Sequence, residues 1–215
     1  MRFPAIILAA ALSLGLAACE SGRSTVAVAP TAATNPATGQ DVKITDVVDA
    51  RLFEAKPREP SIPSLEDGAI GNKALTARAI ARKRNGQGLA QGDVVLPEGQ
   101  TVAKLVNEAV ANGFRRAGYR VLKAGDAGYE KALPVSVKIV EFWSWSQTNF
   151  ISNFTARHTS KIEIAAPGTP IHQSTLMNTA EDTISFGGIG DSDWQKLTAR
   201  GLEAISARVV QFLGK

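Results

Sequence analysis

The stretch Thr101–Leu122, TVAKLVNEAVANGFRRAGYRVL, predicts a helix followed directly by a strand, and this order sets the fold class. Gly118 ends the predicted helix, since glycine readily takes the left-handed conformation found after helix C-termini. Tyr119–Leu122 then has the composition of a strand, and the alternating Val42–Val47 upstream predicts another. Strand, helix and strand in this order indicate a crossover that joins two parallel strands. The apolar residues that recur on one face of the helix are Val102, Leu105, Val106, Ala109, Gly113, Phe114 and Ala117.

Three more strands are predicted downstream of this unit. Pro167-Gly168 favours a tight turn between the last two strands, which would then pair as an antiparallel hairpin. If the turn is that short, Ile164 stands opposite Ile171 in the hairpin. The three predicted strands cover residues 135–145, 154–164 and 171–180.

A closing helix carries the strongest periodic signal in the chain. Its apolar face comprises Trp194, Leu197, Gly201, Leu202, Ile205, Val209, Phe212 and Leu213. Two amphipathic helices and about five strands predict an α/β two-layer sandwich, with a mixed, mainly antiparallel sheet covered on one face by the helices. We expect a single domain over residues 41–215, with a long loop at about 52–99 because Pro and Gly recur throughout that segment.

The N-terminus has the pattern of a lipoprotein signal peptide. Arg2 precedes the apolar run Ala5–Leu16, whose length of about 18 Å as a helix is too short for a membrane core of about 30 Å. Leu16-Ala17-Ala18-Cys19 matches the lipobox of bacterial lipoproteins, in which the cysteine thiol is lipidated and residues 1–18 are removed. Two or three acyl chains anchor a protein stably to a membrane. The alternative is an ordinary secretory signal that leaves Cys19 as a free thiol.

Residues 19–40 are predicted to form the lipidated cysteine and a flexible tether. This segment is rich in Ala, Thr, Ser and Pro and shows no helical or strand period. Glu20 follows the cysteine, in place of the aspartate associated with retention in the inner membrane. We therefore expect the domain to be anchored to the outer membrane and to face the periplasm.

Composition excludes several classes of protein. The 215 residues are 44% hydrophobic and 20% charged, which is typical of a globular chain and not of a disordered or multi-span membrane protein. The net charge of +4 is too small for a typical nucleic-acid-binding domain. A single cysteine excludes an internal disulfide and any multi-cysteine metal site.

The order of these parts resembles the YajG-like family of small bacterial outer-membrane lipoproteins, which is functionally uncharacterised. The resemblance covers roughly residues 42–213 and implies an envelope location and an α/β fold, but no reaction. It rests on the lipobox Leu16–Cys19, Asp49-Ala50-Arg51, Arg116-Ala117-Gly118-Tyr119, Val135–Ile139, Ser160–Ile164 and the closing amphipathic helix.

The two histidines do not suggest a metal or catalytic site. In the expected hairpin, His158 and His172 lie on opposite faces of the sheet, so they cannot bind one ion together. His172 would stand opposite Glu163, which is typical of a surface contact. No Gly-x-Ser-x-Gly motif is present, and lipidation would consume Cys19. We therefore expect neither a metal nor a cofactor.

Acidic and glycine-rich residues before the last helix have two interpretations. Asp182, Asp191 and Asp193 could supply a hydrolase pair, but carboxylates near a helix start are more simply caps that complement the helix dipole. Gly187–Gly190 lacks the Lys-Ser/Thr of a phosphate-binding loop, so we interpret it as a turn. These patterns favour a protein that is not an enzyme.

A basic run and two tryptophans are the candidates for a contact surface. The run Arg78, Arg82, Lys83 and Arg84 could attract anionic lipid head groups or an acidic partner, or simply be a solvated loop. Trp143 and Trp145 lie on one side of a strand, where they either cover the sheet or form an exposed interface.

These features together predict a non-enzymatic, lipid-anchored periplasmic lipoprotein that presents its domain to a protein partner in the bacterial envelope. The expected contact residues are Trp143, Trp145, Arg82, Lys83 and Arg84. The alternative function is a glycan or peptidoglycan-fragment binding module that uses exposed tryptophans.

Overall fold

The computed structural model describes residues 22–30, 32–66, 68–150 and 153–214, with short 3-10 turns at Ala69–Gly71 and Tyr129–Lys131. The strands are β1 (Ser24–Thr25), β2 (Asp41–Asp49), β3 (Ala79–Arg84), β4 (Ala90–Val95), β5 (Arg120–Val121), β6 (Leu133–Phe150), β7 (Asn153–Ala165) and β8 (Thr175–Phe186). The helices are α1 (Lys73–Thr76), α2 (Val102–Arg116) and α3 (Asp191–Phe212).

The crossover predicted from Thr101–Leu122 is confirmed. The Thr101 hydroxyl accepts a hydrogen bond of 3.2 Å from the Lys104 backbone N–H and caps α2. The apolar face of α2 packs against the sheet and buries residues such as Val106 and Phe114 completely. β5 follows the helix and pairs in parallel with β2, as the predicted crossover requires.

The sheet is mixed, and its longest strand, β6, lies near its centre. Along one path the strand order is β1-β4-β3-β6-β2-β5, and β7 and β8 extend the sheet from the other side of β6. The β3–β4, β6–β7 and β7–β8 pairs are antiparallel, whereas the remaining pairs are parallel. With α2 and α3 packed against this sheet, the predicted α/β class is confirmed, but the described residues form eight strands instead of about five.

The predicted long loop at 52–99 is wrong, because this segment contains α1, β3 and β4. β3 and β4 form a hairpin closed by the Asn85 N–H bond to the Leu89 carbonyl at 2.9 Å. Residues 53–66 and 68–75 cover the face of the sheet opposite the helices, where Leu65 and Leu75 form a second apolar cluster with Trp143. These elements are too short to give a recognisable pattern among the many Pro and Gly residues. β3, for example, has only three buried residues.

Much of the predicted tether also lies against the domain. β1 pairs in parallel with β4, and the Val26 and Val28 side chains that follow it are buried. The Asn35 side chain bonds both the N–H and the carbonyl of Val121, at 2.9 and 3.0 Å. A short apolar alternation in an Ala- and Thr-rich segment is therefore enough to add an edge strand.

The β7–β8 hairpin has a different register from the predicted one. Ile164 stands opposite Thr175, four residues further along than expected, because the connection is longer than Pro167-Gly168 alone. The Ala166 N–H donates to the Ile171 carbonyl at 2.7 Å, and Ile171 is buried within the connection. An even shift preserves which residues share a face.

That shift makes the predicted Glu163–His172 pair wrong. His172 is exposed in the connection, outside both strands. Glu163 stands opposite Leu176 and forms its ion pair with Lys138 at 3.2 Å.

Candidate functional site

Trp143 and Trp145 do not form an exposed surface, so this predicted contact is wrong. Trp143 is completely buried and Trp145 is 8% exposed. The Trp143 indole N–H donates to the Pro60 carbonyl at 3.2 Å, and the Phe53 ring meets the indole edge-on at 5.9 Å between centroids. The segment that was predicted as a loop thus covers both tryptophans, which removes the basis for stacking on glycan rings.

Two of the three predicted basic contact residues have partners within the domain. The Arg82 guanidinium donates to the Leu65 carbonyl at 2.5 Å, and its Nε lies 3.9 Å from the buried Asp93 carboxylate. Burial raises the pKa of Asp93, although a hydrogen bond from Arg23 opposes the rise. The Lys83 ammonium lies 3.2 Å from Asp191 and so ties β3 to the start of α3.

Arg84 differs from both of these neighbours. Its Nη1 donates to the Gly88 carbonyl at 2.9 Å, but among the described residues no carboxylate lies within ion-pair distance. Burial, and then repulsion from Arg82, lower the pKa of Arg84. A guanidinium nevertheless stays charged at neutral pH, so Arg84 keeps donor N–H groups available for an anion.

Three open cavities converge on Arg84. Their volumes are about 470, 300 and 280 Å³. Lys56 and the exposed Leu89 line the largest, Arg58 lines the second, and Lys83 with Trp194 lines the third. We call this region the cationic end, defined by Lys56, Arg58, Arg82, Lys83 and Arg84.

The sequence did not reveal Lys56 and Arg58 as members of this site. They lie 24 or more residues before Arg82, and they reach it only because the segment after β2 folds back over the sheet. No local periodicity signals such an approach. The basic triplet was visible in the sequence, but which of its members remain available was not.

Asp182, Asp191 and Asp193 have separate partners. The Asp193 carboxylate accepts the Gly190 N–H at 2.9 Å and caps α3, as expected for a carboxylate at a helix start. Asp191 bonds Ser24 at 2.9 Å as well as Lys83. Asp182 forms a bidentate pair with Arg157 at 2.6 and 2.7 Å, which holds the pKa of Asp182 below its usual value.

His158 lies inside the core. Its Nδ1 is 2.8 Å from the Ser144 hydroxyl, and both side chains are completely buried. Gly201 of α3 packs so closely on the ring that a Cβ there would lie 2.2 Å from His158 Cδ2. Burial, with a smaller contribution from the Arg51 charge, lowers the pKa of His158 to about 3, so its imidazole is neutral. The neutral His158 imidazole therefore contributes to the packing of the core.

Cys19 and the signal sequence lie outside the described residues, so lipidation stays a prediction. In the ranges that the structure does describe, no helix combines the length and apolar character needed to cross a membrane. The same ranges contain no cluster of three His, Cys, Asp or Glu side chains placed to hold a metal ion.

No family model matches the sequence, and no curated protein matches it. The YajG-like assignment therefore stays a prediction. Among solved structures, a Xanthomonas campestris protein of the family DUF330 is 11% identical, with a TM-score of 0.42 and coverage of 87% of this chain and 92% of that one. A minor lipoprotein from Acinetobacter baumannii is 9% identical, with a TM-score of 0.35 and coverage of 54% of this chain and 84% of that one. Structural neighbours are thus uncharacterised proteins and bacterial lipoproteins, and so distant a likeness assigns no function.

Proposed function

We propose that this chain is a non-enzymatic lipoprotein of the bacterial outer membrane, anchored through Cys19, whose domain presents the cationic end to an acidic segment of a protein partner in the envelope. The lipobox Leu16–Cys19 supports the anchor. The domain supplies a recognition surface in place of a reaction centre.

Arg84 is the observation that carries this proposal. It is a partly buried cation with a cation beside it and no carboxylate partner in the described structure. Charge-assisted bonds from a guanidinium to carboxylates are among the strongest hydrogen bonds in proteins. An acidic segment in the adjoining cavities would supply the missing anion, and the exposed Leu89 would add apolar contact.

The anchor is tested by fractionating cells that produce Cys19→Ala. Loss of the acyl chains should move the protein from the membrane to the periplasmic fraction, since the thiol is their attachment point. Ser21→Ala, two residues further on, is the control and should stay in the membrane. Membrane retention of Cys19→Ala would contradict lipid anchoring.

The partner contact is tested by placing a photo-reactive residue at position 89 in the full-length protein in cells. An adduct with an envelope protein should form and should be lost when Arg84→Glu is added. Lys123→Glu, an equal charge reversal at an exposed site outside the cationic end, should leave the adduct unchanged. An adduct that survives Arg84→Glu, or no adduct at all, would contradict the proposed contact.

A further inference from the structure

β8 is a long strand at an open edge of the sheet. It has 12 residues, and among the described residues only β7 pairs with it. Alternate backbone N–H and carbonyl groups of an edge strand point away from its one neighbour. Such a row of unpaired groups is a template for another strand.

The outer face of β8 carries exposed apolar side chains beside this edge. Leu176 is 49% exposed, Ile184 is 68% exposed and Phe186 is 78% exposed. Ala180 and Asn178, also exposed, lie between Leu176 and Ile184 on the same face. Large apolar side chains on an open edge are a liability that proteins usually avoid, and pairing would bury them.

The side chains of β8 are self-complementary when two copies pair antiparallel with Ala180 at the centre. Ile184 then stands opposite Leu176 of the second copy, and Asp182 stands opposite Asn178 of that copy. Phe186 lies diagonal to the same Leu176, within reach of an aromatic ring. On the inner face Glu181 meets Thr179, so no like charges face each other.

Neighbouring registers lack this match. Pairing centred on Glu181 or on Asp182 sets two like charges directly opposite each other. Pairing centred on Thr179 sets Asp182 opposite Leu176 and Glu181 opposite Met177, which places each carboxylate against an apolar side chain.

We propose that β8 is a homodimer interface, in which two copies of this chain join their sheets edge to edge about a two-fold axis at Ala180. This interface is additional to the proposed partner contact, which centres on Arg84 of β3. Arg200 donates to the Asp182 carbonyl at 2.8 Å at this strand, but a carbonyl oxygen has two lone pairs and can accept a second bond.

Disulfide trapping in the full-length protein tests both the partner and the register. Residues directly opposite in an antiparallel pair have Cα atoms about 4.5–5.5 Å apart, which suits a disulfide. Ala180→Cys should therefore give a covalent homodimer under mild oxidation. The wild-type protein, which has Cys19 as its one cysteine, sets the background.

Asn178→Cys is the matched control, because the two copies of residue 178 would be about 13 Å apart along the strands. It should stay monomeric by itself and form the dimer once Asp182→Cys is added to the same chain. Equal trapping of Asn178→Cys and Ala180→Cys, no trapping of Ala180→Cys, or an adduct with another protein would overturn the proposal.

Light scattering on the detergent-solubilised full-length protein gives a readout without cysteines. Ile184→Lys should shift the protein from dimer to monomer, since it puts a charge opposite Leu176. Leu52→Lys, at a position that is 83% exposed and outside β8, should leave the dimer intact. A wild-type monomer, or dissociation by both variants, would also overturn the proposal.

Discussion

Arg51 and Arg84 are the same residue type in opposite surroundings. The Arg51 side chain is fully buried and forms a bidentate pair with Asp49, with both distances at 2.8 Å. It also donates to three backbone carbonyls, those of Thr76, Ala79 and Phe142. Arg84 donates to one carbonyl, has Arg82 nearby, and has no carboxylate partner in the described structure.

This difference separates a cation that stabilises the fold from one that is free to bind. At the Arg51 corner, one guanidinium joins the end of β2 to α1, β3 and β6, so its hydrogen bonds are all satisfied inside the domain. At the cationic end, the surplus donors of Arg84 face cavities. The Asp49-Ala50-Arg51 motif thus has a structural role that its sequence did not reveal.

Arg51→Met should have the largest effect on stability. It leaves the carbonyls of Thr76, Ala79 and Phe142 without their donor and removes the partner of Asp49, so we expect a loss of about 3–5 kcal/mol in the free energy of unfolding. Urea denaturation followed by tryptophan fluorescence measures this loss. A loss below about 1 kcal/mol would mean that the buried guanidinium is not what joins these elements.

His158 should make the protein less stable in mild acid, because burial and, to a smaller extent, the Arg51 charge disfavour its protonation. The imidazole has a pKa of about 3 in the folded protein, whereas an unfolded chain has a value near 6.5. Its contribution is therefore complete above about pH 6.5 and is lost as the pH falls toward 3, at about 1.4 kcal/mol per pH unit. Denaturation midpoints between pH 7 and pH 4.5 measure this slope.

The variant His158→Gln isolates this effect, since it cannot titrate. It should flatten the slope, whereas His172→Gln, at an exposed position, should not. The raised pKa of Asp93 has the opposite effect, because it makes the folded protein gain stability relative to the unfolded chain as the pH falls. This effect is the same in the wild type, His158→Gln and His172→Gln. An unchanged slope in His158→Gln would contradict the role of the buried imidazole.

Arg84→Met should have the smallest effect on stability, within about 0.5 kcal/mol of the wild-type value. Loss of its hydrogen bond to the Gly88 carbonyl should be offset by relief of the repulsion from Arg82. Urea denaturation of Arg84→Met and Arg51→Met under the same conditions compares their free energies of unfolding. A loss comparable to that of Arg51→Met would show that Arg84 also stabilises the fold. It would remove the main support for the proposal that the cationic end binds an acidic partner.

Elements with long periodic patterns were predicted well. α2 and α3 each bury one face over four or more turns, β7 alternates along most of its length and β6 alternates over residues 133–139, so these patterns do not depend on distant contacts. The short strands β1, β3 and β4 were missed because a few buried residues among Pro and Gly carry no such pattern. The β7–β8 register was missed because a nine-residue connection, residues 166–174, replaced the expected tight turn.

Local periodicity and contiguous motifs are enough to predict the α/β class, the crossover around α2, the two amphipathic helices and the lipobox. Which polar and aromatic side chains are accessible at the surface follows from the packing of distant segments. Trp143 is buried and Arg84 borders open cavities because the segment after β2 packs on the first and only lines the cavities beside the second. The availability of a side chain depends on which distant residues pack on it, and no local pattern encodes that.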